Sequence, residues 1–254
     1  MDRDRAISIV QREAGRVLEL ANASGGDLAV PVPSCPDWDF AELVKHLGNV
    51  YNWVGTIVEG RLLAPPGPEM PRRTKETSPP DWMASRLDRL VGALRDAPGE
   101  ELVWNFGPDS PSSVDFWCRR QVHETSIHRV DAELAAGVPV SSLEPDIAAD
   151  TVSEAFTIFR FADVTDDGLL ASASEPGGAG PATIHLHATD VDGAEWTLAT
   201  AARTITRRHA KGDVAIRGTA WALARWCWGR PVEGEVEVFG DARAAETWRS
   251  TVVR

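Results

Sequence analysis

Residues 122–137, VHETSIHRVDAELAAG, place His123, Glu124 and His128 in a helical pattern that Gly137 stops. Zinc proteases carry two histidines four residues apart on one helix face, with a glutamate after the first. Here the histidines stand at 123 and 128, one residue too far apart. Each helical residue advances by about 100°, so His123 and His128 point about 140° apart and cannot share an ion. Glu124 and His128 are about 40° apart, stacked one turn on the next. Trp117 and Asp131 flank that face, and Phe116, Ile127, Val130 and Leu134 form the predicted apolar stripe beside it. The pair sits at the rim of a buried face, where helical bundles build ligand sites. An exposed Glu–His pair at this spacing contributes only about 0.2–0.5 kcal/mol to a helix and needs no metal. A catalytic metal site needs a third protein ligand and an open position. That ligand must come from another helix. His46, in ELVKHLGNV beside Leu43, Leu47 and Val50, is the best placed. His185 and His187 share one predicted strand, where paired histidines face solvent or stack on neighbours, and His209 lies in the basic turn RRHAKG.

The surrounding sequence reads as helix after helix. Residues 3–23 have apolar positions at Ile7, Ile9, Val10, Val17, Leu18 and Leu20, and end at Asn22-Ala-Ser-Gly-Gly. The proline-rich PVPSCPDW follows, and Asp37 or Asp39 caps FAELVKHLGNVYNWVGTIVEG. After the loop 64–80, Pro79 and Pro80 lead into DWMASRLDRLVGALRDA. LVWNFGP is a short strand or a loop, and the fourth helix spans Val114 to Ala136. Four such helices predict an antiparallel bundle over residues 1–142. Residues 145–162 read as one more helix. Then TIHLHAT, EWTLAT, RTITRR, DVAIRG and VEVFG alternate with period two, with TAWALARWCWGR and DARAAETWRS helical among them. Residues 143–254 are therefore expected to be a smaller α+β domain with a mostly antiparallel sheet, making the chain α+β overall. SEPGGAGP (174–181) reads as a turn or hairpin loop. It does not follow a strand and open a helix, so it is no phosphate loop.

Composition excludes several functions. With 26 basic and 38 acidic residues, the net charge of −12 argues against a nucleic-acid partner. No apolar run reaches the roughly 18 residues of a membrane helix, and the charged start MDRDRAISIVQREAGRVLEL is no signal peptide, so a cytoplasmic location is expected. Three scattered cysteines, Cys35, Cys118 and Cys227, argue against a disulfide framework and a cysteine-based zinc site. Ten tryptophans against one tyrosine is unusual. They are expected to be core and surface fillers, or in some cases to line a pocket.

Several stretches carry a family resemblance. VPSCPDWDFAELVKHLGNVYNWV and WCRRQVHETSIHRVDAELAAG resemble the second and fourth helices of the mycothiol-dependent maleylpyruvate isomerases, members of the DinB-like metal-binding bundles. IRGTAWALARWCWGR and VEVFGDARAAETW resemble their C-terminal domain, which is similar to sterol-carrier proteins. The resemblance implies a divalent metal, zinc by default, held by His46, Glu124 and His128. Nickel, iron or cobalt would accept the same ligands. His123, Arg129 and Asp131 match the motif without being ligands, and their implied jobs are supporting hydrogen bonds and helix pairing. It further implies mycothiol as a low-molecular-weight thiol cofactor, its sulfur deprotonated at the metal and adding reversibly to an activated cis double bond of a small-molecule substrate. The protein's own cysteines are not needed for this. An arginine from the C-terminal domain would hold the substrate's carboxylates and enolate, and Arg217 and Arg225 are the candidates. The same ligands would also serve a mycothiol S-transferase or a metal-dependent cyclase or isomerase of a biosynthetic pathway. A non-catalytic small-molecule-binding protein is the remaining alternative.

Overall fold

The computed structural model describes residues 1–68, 70–107, 110–162, 183–199 and 204–252. The chain divides into two compact units, Met1–Ser141 and Ser142–Arg254. The glycine-rich segment 174–181, expected as a turn, lies outside the described residues.

The first unit holds α1 (Arg3–Ala23), α2 (Phe40–Glu59), α3 (Pro79–Asp96) and α4 (Asp115–Ala135). Three of them begin on an acceptor side chain. Asp2 accepts from the Arg5 N–H, Asp39 from the Glu42 N–H and Ser78 from the Asp81 N–H. Helix α3 starts earlier than the predicted DWMASRL. Pro79 and Pro80 fill its first turn, where a missing N–H loses no hydrogen bond. Gly137, at φ 66°, turns the chain away after α4. Helix α1 packs on α4 and α2 on α3, with further contacts between α1 and α3 and between α2 and α4. The approach of α2 to α3 depends on Gly48. A Cβ there would collide with the Trp82 ring and stand 3.1 Å from the Met83 Cα. Both alternatives for LVWNFGP are realised in part. Leu102–Val103 (β1) pairs antiparallel with Ser112–Ser113 (β2), and the rest is loop.

Helix α4 departs from the simple stripe expected of it. Ile127 and Val130 are buried, but so are Gln121, His123, Thr125, Ser126, Arg129, Asp131 and Glu133, while Phe116 and Leu134 are half-buried. A helix buried on nearly every side is an interior helix, and its polar groups must find partners there. Arg129 donates to Glu13 of α1 at 2.7 Å, to Glu133 at 2.6 Å and to the Ser141 carbonyl at 2.8 Å. Tyr51 and Thr125 join their hydroxyls across α2 and α4 at 3.0 Å. Trp53, Trp104 and Trp117 form a ring cluster, their centroids 5.2 to 6.5 Å apart, with Trp117 buried and the other two half-buried.

The second unit begins with α5 (Pro145–Ala162). A five-stranded sheet follows, made of β3 (Thr183–Ala188), β4 (Glu195–Ala199), β5 (Thr204–Thr206), β6 (Val214–Gly218) and β7 (Val236–Gly240). Helix α6 (Ala220–Cys227) follows β6, and α7 (Ala242–Val252) ends the described chain. The strand order is β5-β4-β3-β6-β7, antiparallel except for β3 with β6. One face is apolar: Ile184, Leu186, Trp196, Leu198, Val214 and Ile216 alternate inward. Trp196 bonds Ser153 of α5 at 3.0 Å, and Trp228 bonds the Thr151 carbonyl at 3.2 Å. The other face carries His185, His187, Glu195, Thr197 and Arg217. Among the described residues, no helix is long and apolar enough to cross a membrane.

Candidate metal centre

The first unit brings His46 of α2 together with Glu124 and His128 of α4. His46 Nε2 lies 3.0 Å from Glu124 Oε1, and His128 Nε2 lies 3.4 Å from the same oxygen. The two imidazole centroids are 4.8 Å apart. Two neutral-capable nitrogens and a carboxylate oxygen thus converge on one point, a donor set that suits zinc and its neighbours. The Glu124 and His128 side chains are 11% and 12% exposed, whereas His46 is 32% exposed, so the cluster opens to one side.

The surroundings fix the ligand atoms. His128 Nδ1 stands 2.8 Å from Asp131 Oδ2, and Asp131 also accepts from the Ser34 hydroxyl and lies 3.8 Å from the Cys35 sulfur. A proton on Nδ1, shared with Asp131, leaves Nε2 as the ligating lone pair. Burial penalises charge on His128, yet Glu124 and Asp131 outweigh it and push its pKa up to about 9. Burial likewise works to raise the Glu124 carboxyl, but Arg120, His128 and His46 hold it well below the usual carboxylate range. The pocket is therefore built for positive charge, whether carried by protons or by a metal ion. Trp38 covers it, its ring centroid 4.8 Å from His46 and 5.9 Å from His128.

His123, on the far side of α4, is fully buried away from this cluster's three ligand atoms. Arg129 ties α1 to α4, and Asp131 orients His128. The sequence reading missed Trp38, Ser34 and Arg120. Arg120 is four residues before Glu124, a legible signal, since that spacing places the two on one helix face. Trp38 and Ser34 come from the irregular PVPSCPDW segment, whose path no periodicity gives.

Neither expected arginine belongs to this unit. Arg217, on β6, is 54% exposed and 3.5 Å from Glu237 of β7. Arg225, on α6, is buried, contacts Glu235 and donates to the Pro231 carbonyl at 3.2 Å. It holds the turn that follows α6. All three cysteines are outside any disulfide. Burial pushes the Cys118 thiol up to about 11 and raises Cys227 further.

The fold and this cluster define a class: a helical unit with a His–Glu–His centre on two of its helices, joined in sequence to an α+β unit. Residues 10–133 match the family model described as the mycothiol maleylpyruvate isomerase N-terminal domain, and residues 146–247 match the MDMPI C-terminal domain. The chain belongs to the mycothiol-dependent maleylpyruvate isomerase family. Two crystal structures share its fold. One is of a mycothiol-dependent maleylpyruvate isomerase, with TM-score 0.60 and 13% identity; it covers 94% of this chain and 93% of that one. The other is of a histidine-to-alanine mutant of such an enzyme, with TM-score 0.62, 10% identity and the same coverage of both chains. No curated protein matches the chain.

Proposed function

We propose that this protein is a metal- and mycothiol-dependent isomerase of the maleylpyruvate isomerase type. The observation that carries the reading is the convergence of His46, Glu124 and His128 on one point, with Asp131 fixing the His128 tautomer. His46 Nε2, Glu124 Oε1 and His128 Nε2 are the atoms that would hold a divalent cation, zinc by default. Such a cation, with mycothiol, would supply a thiolate at neutral pH, the nucleophile needed to make an activated cis double bond transiently single and free to rotate. The protein's part is to orient and to exclude. Asp131 keeps the proton on Nδ1. Arg120 balances the carboxylate charge, and Trp38 packs its ring beside His46 and His128. The buried thiols of Cys118 and Cys227 stay protonated, so neither serves as the nucleophile. Of the two arginines, Arg217 keeps an exposed guanidinium and is the one available to a substrate carboxylate.

The test compares wild type with a His46→Ala/His128→Ala variant, both grown and purified with zinc present. The variant is expected to lose one equivalent of metal and all thiol-dependent cis–trans turnover of an enone diacid. A catalytic amount of thiol should suffice for wild type. Thiol consumed one-for-one with substrate would establish a transferase instead. Equal metal content in the two proteins would overturn the centre itself.

A further inference from the structure

A second convergence of ligand atoms lies wholly within the C-terminal unit. Among the described residues, two groups of His and Glu bring their ligand atoms within 4.8 Å of one another, and the second is His185, Glu195 and His209. His185 Nε2 and His209 Nδ1 both point at Glu195 Oε2, at 2.8 and 2.6 Å. His187 stands beside them, its Nδ1 3.6 Å from Glu195 Oε1. The sheet register produces this arrangement. His185 and His187 are two apart on β3 and so share a face, and Glu195 of β4 is directly opposite His187 on that face.

The loop carrying His209, between β5 and β6, is seated at both ends. The Thr197 hydroxyl donates to the Arg208 carbonyl at 3.0 Å. Asp213 and Thr183 exchange two bonds, at 2.7 and 2.8 Å. Gly212 approaches β3 so closely that a Cβ would stand 2.7 Å from the Thr183 carbonyl oxygen. His209 is therefore delivered to Glu195 by a positioned loop, although its own side chain is 76% exposed.

Charge identifies the occupant. Three imidazoles around one carboxylate, if protonated, would far exceed its single negative charge. Neutral imidazoles with one carboxylate suit a divalent ion of borderline softness. Donors bound at about 2.0–2.1 Å in a tetrahedron lie about 3.4 Å apart, so the ion enters by moving each nitrogen from Glu195 by less than about 1 Å. Arg217, the cationic neighbour across from His187, is drawn toward Glu237 on the β7 side.

We propose that His185, Glu195 and His209, with His187 as a fourth donor, form a second divalent-metal site that takes a zinc-class ion and fastens the β5–β6 loop to the sheet. The site does not rest on the N-terminal centre.

The experiment uses full-length His46→Ala/His128→Ala protein, so that metal at the first centre cannot contribute. After dialysis against zinc it is expected to retain one equivalent per chain. Adding His209→Ala and Glu195→Gln is expected to remove it. His209→Ala in the wild-type background should leave the first equivalent and the circular dichroism intact, which serves as the folding control. Trypsin provides a second readout, since Arg207, Arg208 and Lys211 in the loop are exposed. At zinc about 100-fold above its Kd, cleavage in the loop should slow by about 100-fold. No retained equivalent in the first variant, or one indifferent to His209→Ala and Glu195→Gln, overturns the site. Binding without protection of the loop overturns the fastening role.

Discussion

Asp131 decides what His128 can do. Its carboxylate can only accept at Nδ1, so that nitrogen keeps its proton and Nε2, on the side of Glu124, is the one that gives up its proton to ligate a metal. An asparagine there would offer an N–H to Nδ1 and push the imidazole proton onto Nε2, where it blocks ligation. Asp131→Asn is therefore expected to weaken zinc binding at this centre by about 10–100-fold with the fold retained. Competition against a chromophoric chelator reads this directly, and an unchanged affinity would reduce Asp131 to a packing role. Arg217 and Arg225 separate at the same scale. Arg217→Ala should lower kcat/KM by about 100-fold or more while metal content stays constant, as for a lost charge-stabilising group. Arg225→Ala removes the contacts to Glu235 and Pro231 and should instead lower the thermal midpoint. If turnover followed Arg225 rather than Arg217, the assignment would be reversed.

Helices α2 and α3 pack through glycines that are not equivalent. A Cβ at Gly48 would meet the Trp82 ring and the Met83 backbone, whereas one at Gly55 would stand 3.6 Å from Leu90 Cα, an ordinary contact. Gly48→Ala should therefore cost about 1–3 kcal/mol through overpacking. Gly55→Ala should be neutral or stabilising by up to about 1 kcal/mol, because alanine loses less backbone entropy in a helix. Urea unfolding of the two variants should give midpoints displaced in opposite directions, or only Gly48→Ala displaced. A midpoint for Gly55→Ala lowered as far as that of Gly48→Ala would show that the two glycines are equivalent, and an unchanged midpoint for Gly48→Ala would show that the helices do not approach as closely there as described.

Across the whole molecule, the buried Glu13–Arg129–Glu133 network couples stability to pH. Burial works to raise the Glu133 carboxyl, but the Ser141 hydroxyl and amide and the Arg129 guanidinium bring it below its ordinary 4.5. A group whose folded pKa is depressed stabilises fully above its unfolded value and loses that contribution as pH falls through the folded one. Stability should therefore hold from neutrality to about pH 4.5 and then decline. Glu133→Gln should be less stable at pH 7 and should lose less on acidification, as urea midpoints across that range would show. Equal acid slopes for both proteins would remove Glu133 from the account. The whole chain's net charge of −12 at pH 7 should favour solubility over self-association.

Short-range rules determined much of this protein from its sequence. Asp39, one of the two caps offered, marks a helix start because a side-chain oxygen meets an N–H only three residues on. Gly137 marks a stop because positive φ suits glycine. Glu124 and His128 share a face because helical rotation alone puts them there. The period-two runs gave the strands, and with them the shared face of His185 and His187. Tertiary structure decided the rest. His46 meets Glu124 only because α2 and α4 pack together, 78 residues apart in sequence. Burial of polar residues all around α4 follows from its interior position, which its own periodicity does not encode. Glu195 and His209 reach His185 through strand register and a seated loop. Periodicity and capping act within one turn or one strand, whereas convergence of ligands depends on which faces finally bury one another.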